Sequence, residues 1–470
     1  MSLSIGALTW FSNDNRCKKV TLLENLVKRT QPMLPKPTDS QSPGTPQKKP
    51  NRLQRIWQNL GPGLITGASD DDPSGIATYS QAGTAFGLAT LWTALITFPL
   101  MAAMQEMCAR IGLVTAQGLA GTLRKHYPRW VLYGLLLLTG PAIVLNIGAD
   151  LESMGAVAHL LLPQVPTFAF SVFFTGLILG AVIVYPYQRV AAILKWLCAT
   201  LLLYLVVPFL VRQDWLNVLR QTFIPQFQFT KAFASILVAI LGTTISPYLF
   251  FWQTDMEAEA MQQNSVVNGH GKRVMVNKRL LESMRYDVNV GMFCSNLIMF
   301  FIILTTGVVL YASGVRRIDT VEQAAQALKP LAGEFAYWLF AGGVIGTGLL
   351  AIPVLAGSLS YAVAQTFGWR GGFDRKFHQA PAFYLTITVS LVVGLLLDLL
   401  GISPIQALLY TAILYGLTAP IMVALILHLA NNKAIMGKFT NGRLSNSLGG
   451  ITLVLMSAAA ILLLYFQVTS

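Results

Sequence analysis

Charge is what this chain is short of. Asp, Glu, Lys and Arg make up 11% of its 470 residues while 54% are hydrophobic, whereas soluble globular chains carry about 25% charged residues. That shortage excludes an ordinary soluble domain and points to an all-α polytopic membrane protein. Cysteine is scarce too. Cys17, Cys108, Cys198 and Cys294 show no CxxC or other ligand spacing, and three lie in apolar runs, so they read as free, packed thiols; neither a disulfide framework nor a zinc site is implied. Of the five histidines, His159 falls inside an apolar run and reads as a packed side chain, while His126, His270, His378 and His428 lie in or near loops without ligand spacing. The short apolar run near Ser4–Phe11 precedes the basic residues around it, the wrong order for a secretory signal.

Residues 1–58 are polar, basic and punctuated by Pro32, Pro35, Pro37, Pro43, Pro46 and Pro50, which reads as a disordered cytoplasmic tail. From there on, residues 59–470 hold eleven apolar segments near 60–83, 88–111, 130–162, 168–186, 188–211, 231–254, 287–314, 333–367, 382–400, 404–428 and 448–467, each of about the 20 residues that cross a bilayer. With the tail inside, all of the 33 Lys and Arg residues fall on the cytoplasmic side except Arg212, Arg220, Lys231, Arg316, Arg317 and Lys329. The positive-inside rule then places the N-terminus in the cytoplasm and the C-terminus outside, in a cell membrane. It also accounts for the formal charge of +13 without any nucleic-acid partner.

Against this apolar background, Asp70, Asp71 and Asp72 stand in a row in the first segment, followed by Pro73, Ser74 and Gly75. One Asp at the centre of a spanning helix costs roughly 2.5–3.5 kcal/mol on insertion scales, so three call for a compensating cation. Proline forces the residue before it out of helix, which unwinds the chain at Asp72. The sixth segment is interrupted in the same way by Gly242, Thr243, Thr244, Ile245, Ser246 and Pro247. These breaks correspond if residues 60–211 and 231–428 are two five-helix repeats, and an odd repeat size inverts one copy relative to the other. Segment 448–467 is then an appended helix. Paired broken helices in inverted repeats mark a transporter's midplane site.

The donors gathered at the two breaks are oxygens: the Asp72 carboxylate, Ser246, Tyr248 and the carbonyls around Thr244 and Ile245. Hard oxygen donors suit magnesium, calcium or manganese, and magnesium keeps several of its waters. Successive helical residues point about 100° apart, so Asp72 ranks first as ligand, with Asp71 and Gly75 beside it and Asp70 a vestibule or structural group. Glu106, Asp150 and Glu152, buried acids without an evident spanning cation, extend the set into a candidate ion pathway. Asn146 and Asn296 are candidate water-mediated ligands, with interhelical hydrogen bonding the favoured role.

The run DPSGIATYSQAG resembles the first-span signature DPGN-W-A-T-D-L-Q-A-G of the Nramp (natural resistance-associated macrophage protein) family, matching at Asp72, Pro73, Ala77, Thr78, Gln81, Ala82 and Gly83. Gly61-Pro62-Gly63, the run Arg110-Ile111-Gly112-Leu113-Val114-Thr115 and Tyr127-Pro128 are similar to that family as well. The resemblance covers residues 60–430 and implies its LeuT-type fold. At three places the chain departs from it. Gly75 replaces the family asparagine, the sixth-span A-M-P-H reads Ile245-Ser246-Pro247-Tyr248, and Asp150 matches the proton-path aspartate while the second acid of that pair falls at Ser153. This pattern resembles the Nramp-related magnesium transporter branch, which implies a more hydrated ion and no proton coupling.

The expectation is therefore a secondary transporter of Mg²⁺, and of Mn²⁺ too, monomeric in the bilayer, with the ion as substrate and no cofactor. A proton-coupled Mn²⁺/Fe²⁺ symporter is the alternative that Asp150 keeps open. As enzyme alternatives, a membrane prenyltransferase using DDDPS to hold Mg²⁺-diphosphate needs a facing acidic motif, and Asp255-Met256-Glu257-Ala258-Glu259 falls at a helix end; an intramembrane aspartyl protease lacks a second catalytic Asp.

Overall fold

A computed structural model describes residues 62–184, 204–211, 213–267, 276–333, 336–397, 401 and 403–469. The expected tail and most of the fifth apolar segment lie outside the described residues. All regular structure among the described residues is helical. The principal helices are α1 (Pro62–Asp70), α2 (Pro73–Phe86), α3 (Trp92–Thr115), α4 (Arg129–Leu161), α5 (Thr167–Val184), α6 (Lys231–Thr244), α7 (Pro247–Val267), α8 (Lys278–Thr306), α9 (Ala336–Phe367), α10 (Pro381–Leu397), α11 (Pro404–Asn431) and α12 (Arg443–Thr469), with a short helix Leu119–His126 between α3 and α4. They fall on ten of the eleven expected segments. The seventh begins earlier than its apolar run because the charged turn that opens at Lys278 continues the same helix.

Both expected breaks are present. The first segment is two helices, α1 and α2, and the sixth is α6 and α7. Each second half opens on a proline, Pro73 or Pro247, at the first helical position, where its missing N–H would have had no intrahelical partner in any case. Asp72 is extended at φ −68°, ψ 170°, as the residue before a proline prefers. Ile245 ends α6 at φ −117°, ψ 57°. Gly87, at φ +60°, lets the chain leave α2, and α3 departs from the α2 direction by 110°.

Seven spans among the described residues, with the broken α6–α7 pair counted as one, are long and apolar enough to cross a membrane. Their burial differs in a way that locates the centre. In the most apolar stretch 89% of the sixth segment is buried but only 22% of α12, so the broken helix is central and the last helix peripheral. Side chains such as Val454 and Ile461 on α12 face outward, as they would toward lipid.

Helices meet backbone to backbone at glycines. A Cβ on Gly67 of α1 would lie 2.3 Å from the Gly291 carbonyl of α8, and one on Gly242 of α6 would lie 2.1 Å from the Ala412 carbonyl of α11. In a membrane, where apolar side chains gain little by leaving lipid, such close approach of small residues is a main source of helix association. Cys294, expected to be packed, is exposed on α8, whereas Cys108 is buried; Cys17 and Cys198 lie outside the described residues. His159 is held by the Val165 carbonyl at 2.7 Å, a packed histidine as expected.

Gly67→Val should lower the thermal midpoint of the purified protein in detergent, by a destabilisation of about 1–3 kcal/mol or more, because its new side chain meets backbone. Gly180→Ala, with open space around it, should leave the midpoint unchanged in the same melt.

Candidate metal site at the helix breaks

The three aspartates diverge as soon as α1 ends. Asp72 caps α2: its Oδ1 accepts from the Gly75 N–H at 2.7 Å and from the Ser74 hydroxyl at 2.8 Å. Its Oδ2 accepts from the Asn146 amide of α4 at 3.0 Å. Asp70 and Asp71 turn instead to α8, where the Ser295 hydroxyl lies 2.8 Å from Asp70 Oδ2 and 3.2 Å from Asp71 Oδ1. All three are at most 2% exposed. The second oxygens, Asp70 Oδ1 and Asp71 Oδ2, are buried without a donor. Asp71, expected beside Asp72 as a ligand, sits with Asp70 instead: the Ser295 hydroxyl of α8 bonds both, while Asp72 is turned to Asn146 of α4.

Asn146 is the hub of the site. Its Oδ1 accepts from the Thr411 hydroxyl of α11 at 2.9 Å, which fixes the amide so that its nitrogen faces Asp72. The same nitrogen lies 3.3 Å from Asp150 Oδ2. Asp150 is fully buried, with Oδ1 lacking a donor. Asn146 was expected to act mainly between helices. It does, and one of the groups it joins is the first-ranked ligand itself.

Ser246 and Tyr248 stand at the second break. The Ser246 hydroxyl donates back to the carbonyls of Gly242 and Thr243 at 2.9 and 2.6 Å, closing the free end of α6 and leaving its lone pairs unused by this bond. Tyr248 was expected to face Asp72 as a ligand; its hydroxyl hydrogen goes to the Ser69 carbonyl at the end of α1, at 3.0 Å. A second bond, Thr66 to Gln253 at 2.5 Å, joins α1 and α7 below it. Tyr248 thus bridges the two breaks, within electrostatic reach of Asp72 and Asp150 and with its ring 5.8 Å from that of Tyr415. Gly75 is packed tightly: a Cβ there would come 3.2 Å from the Asp70 carbonyl and 3.3 Å from the Tyr79 ring. Its contribution is the N–H that holds Asp72.

The candidate pathway acids separate into different settings. Glu106 has cations after all, Arg285 of α8 at 2.8 Å and Arg110 at 3.9 Å; Arg285 precedes the apolar segment 287–314, and the early start of α8 brings it alongside. Asn296 is engaged between helices, accepting from Thr97 at 2.9 Å and donating to the Ala94 carbonyl, so its polar atoms are directed to α3. Glu152 lines a mostly apolar cavity of ≈ 370 Å³ between α4 and α11. Among the described residues no group of three or more His, Cys, Asp or Glu is placed to hold a metal ion. Sequence reasoning missed Ser295 and Thr411, single hydroxyls in apolar helices whose partners lie far along the chain.

A family model described as "Natural resistance-associated macrophage protein-like" matches residues 63–466. The chain is 26% identical over 458 residues to the "Divalent metal cation transporter MntH" of Chromohalobacter salexigens, covering 94% of this chain and 99% of that protein. It is 25% identical to the protein of the same description from Caldanaerobacter subterraneus subsp. tengcongensis, over 88% of this chain and 94% of the relative. Among solved structures, a manganese transporter of Eremococcus coleocola, in complex with an aromatic bis-isothiourea substituted compound, superposes with a TM-score of 0.69 at 17% identity, covering 87% of each chain. The fold is of the LeuT type, and the described helices follow the order of two five-helix repeats plus an eleventh helix, most of the fifth segment lying outside the described residues.

Asn146→Ala should weaken divalent-cation binding about tenfold or more, the scale of losing a group that orients a metal ligand, with the thermal midpoint changed far less than by Gly67→Val. Ser295→Ala should leave that affinity within about twofold, because its bonds go to the diverted pair. Isothermal titration of the purified variants reads both.

Proposed function

The chain belongs to the natural resistance-associated macrophage protein-like family, and from that premise we propose that it is a secondary transporter of divalent cations, carrying Mg²⁺ and also Mn²⁺ by alternating access, with a hydrated ion and without proton coupling. Membership makes it a transporter and not an enzyme, which removes the prenyltransferase and protease readings.

One observation carries the choice of ion. The side chains at the two breaks offer oxygen donors alone, and of the aspartate triplet Asp72 is turned toward Asn146 of α4 while Asp70 and Asp71 bond Ser295. Magnesium sheds water reluctantly and is typically held by one or two carboxylates with several waters retained. A site formed by Asp72, one serine and one tyrosine, with Asp150 set off behind Asn146, would leave coordination positions for those waters. The methionine and histidine of the family motif would supply softer donors; Ser246 and Tyr248 stand in their places.

Absence of coupling is supported by the chemistry of the link between Asp72 and Asp150. Asn146 lies between them, and a carboxamide donates hydrogen bonds without readily passing a proton on. Ser153 replaces the second acid. The other reading, a proton-coupled Mn²⁺/Fe²⁺ symporter, draws on Asp150 itself, a buried carboxylate with one oxygen lacking a donor.

Reconstituted in liposomes with Mg²⁺ or Mn²⁺ outside and a pH dye inside, the protein should admit the ion without acidifying the lumen. Metal-dependent acidification instead selects the symporter. Ser246→Met should shift selectivity toward Mn²⁺ over Mg²⁺, since a thioether adds a soft donor and removes room for water; unchanged selectivity in competition uptake would mean that Ser246 does not face the ion.

A further inference from the structure

Away from the breaks, a polar cavity of ≈ 530 Å³ lies between α7, the end of α9, the short helix Leu119–His126 and the loop that follows α9. Its floor is acidic. Asp255 and Glu259 stand one turn apart on the same face of α7. Asp255 is 2% exposed; its Oδ1 accepts from Gln365, and its Oδ2 is buried without a donor. Glu259 accepts from the Tyr361 hydroxyl at 2.5 Å. Asp374 joins it from the loop: a Cβ on Gly372 would lie 2.4 Å from Glu259 Oε1 and 2.5 Å from Asp374 Oδ1, so both carboxylates crowd against the same glycine, whose φ of +137° few other residues adopt. The rim is basic. Lys125 and Arg370 are exposed there, and Arg375 lies 4.0 Å from Asp374.

A free phosphate would be repelled by that floor, and a bare cation by that rim. The described acids also fall short of a three-ligand metal group. A polyphosphate that carries its own divalent ion satisfies both halves, because Mg²⁺ is commonly held by one or two carboxylates together with phosphate oxygens, while Arg and Lys take the remaining phosphate charge. We propose that this cavity binds a magnesium-chelated polyphosphate, the chemistry of a nucleoside triphosphate, with Asp255 and Glu259 on the metal and Lys125 and Arg370 on the phosphates. The bound group ties α7, one half of the broken sixth span, to α9 and to the connection after α3. Alternating access requires the broken helices to move against their neighbours, so occupancy slows transport. Both loops lie on the side that the charge count assigns to the cytoplasm.

The test titrates the full-length protein in detergent, first with tripolyphosphate in constant saturating Mg²⁺, so that the transport site is silent, and then with tripolyphosphate in EDTA. Saturable binding is expected in Mg²⁺ and about tenfold or more weaker binding in EDTA. Glu259→Gln and Arg370→Ala should each weaken the Mg²⁺ titration about tenfold, and the exposed Arg370 variant should transport normally when no polyphosphate is present. Trapped Mg²⁺-tripolyphosphate should slow uptake by wild-type liposomes and not by Arg370→Ala. ATP binding more tightly than tripolyphosphate assigns a nucleotide, and equal affinity assigns the phosphate chain; both support the site. No saturable binding, equal affinity in EDTA, or indifference to Arg370→Ala overturns it. These outcomes are independent of which ion is transported or whether protons accompany it.

Discussion

Asp72 is a carboxylate buried among neutral donors. Its hydrogen-bond partners are the Gly75 N–H, the Ser74 hydroxyl and the Asn146 amide. Removing a carboxylate from water costs several kcal/mol even after relaxation, and hydrogen bonds from neutral groups recover only part of it. The shortfall is available to an arriving cation. Much of the local architecture serves this one group: Pro73 takes Asp72 out of helix, the unwound turn aims an N–H at it, and Thr411 holds Asn146 in the orientation that presents nitrogen and not oxygen. Had α1 and α2 been continuous, the carboxylate would point along a helix side and the N–H groups of residues 74 and 75 would be spent on the preceding turn.

The two breaks are alike in cause and unlike in what they expose. Proline opens the second half in each, but at the first break the capping side chain is a carboxylate that accepts hydrogen bonds from the helix ahead, whereas at the second it is a hydroxyl that donates to the helix behind. One supplies charge. The other supplies neutral oxygen and, through Tyr248, a bond to Ser69 that links the two broken helices. Glycine contacts then hold the frame: α1 rests on α8 and α6 on α11 at backbone distance, so a half-helix is gripped along one side while its broken end stays free of regular pairing.

What could be read from the sequence was what depends on near neighbours. The break at Asp72-Pro73 follows from proline sterics three residues wide, and the apolar segments follow from composition, so the break and ten of the eleven segments stand in the structure close to where they were expected. The partners of the acids were not legible, because they come from elsewhere in the chain. Ser295 collects Asp70 and Asp71 from more than two hundred residues away, Asn146 reaches Asp72 across from α4, and Arg285 reaches Glu106 because a charged turn extends a helix that hydropathy had begun later. Tyr248 illustrates the same limit. Its position beside the break was evident, but the direction of its hydroxyl depends on where α1 ends.

The separation of the aspartates bears on the ion more than their number does. Three adjacent carboxylates suggest a highly charged cage, which would bind a dehydrated divalent ion tightly and release it slowly. The structure sets two of them on a serine of α8 and leaves one at the junction of the breaks. A divalent ion held by Asp72, with Asp150 set off behind Asn146, would have few direct ligands and keep a strong claim on water. Stripping that water would require further hard ligands, and the second break offers a serine and a tyrosine, each of whose hydrogens is already donated to backbone carbonyls. Such groups accept from a hydrated ion's waters as readily as they approach the ion itself. On the proposed reading, discrimination rests on how much water fits between Asp72 and residues 246–248, and a change of side-chain size at Ser246 would alter selectivity without touching the charge that attracts the ion.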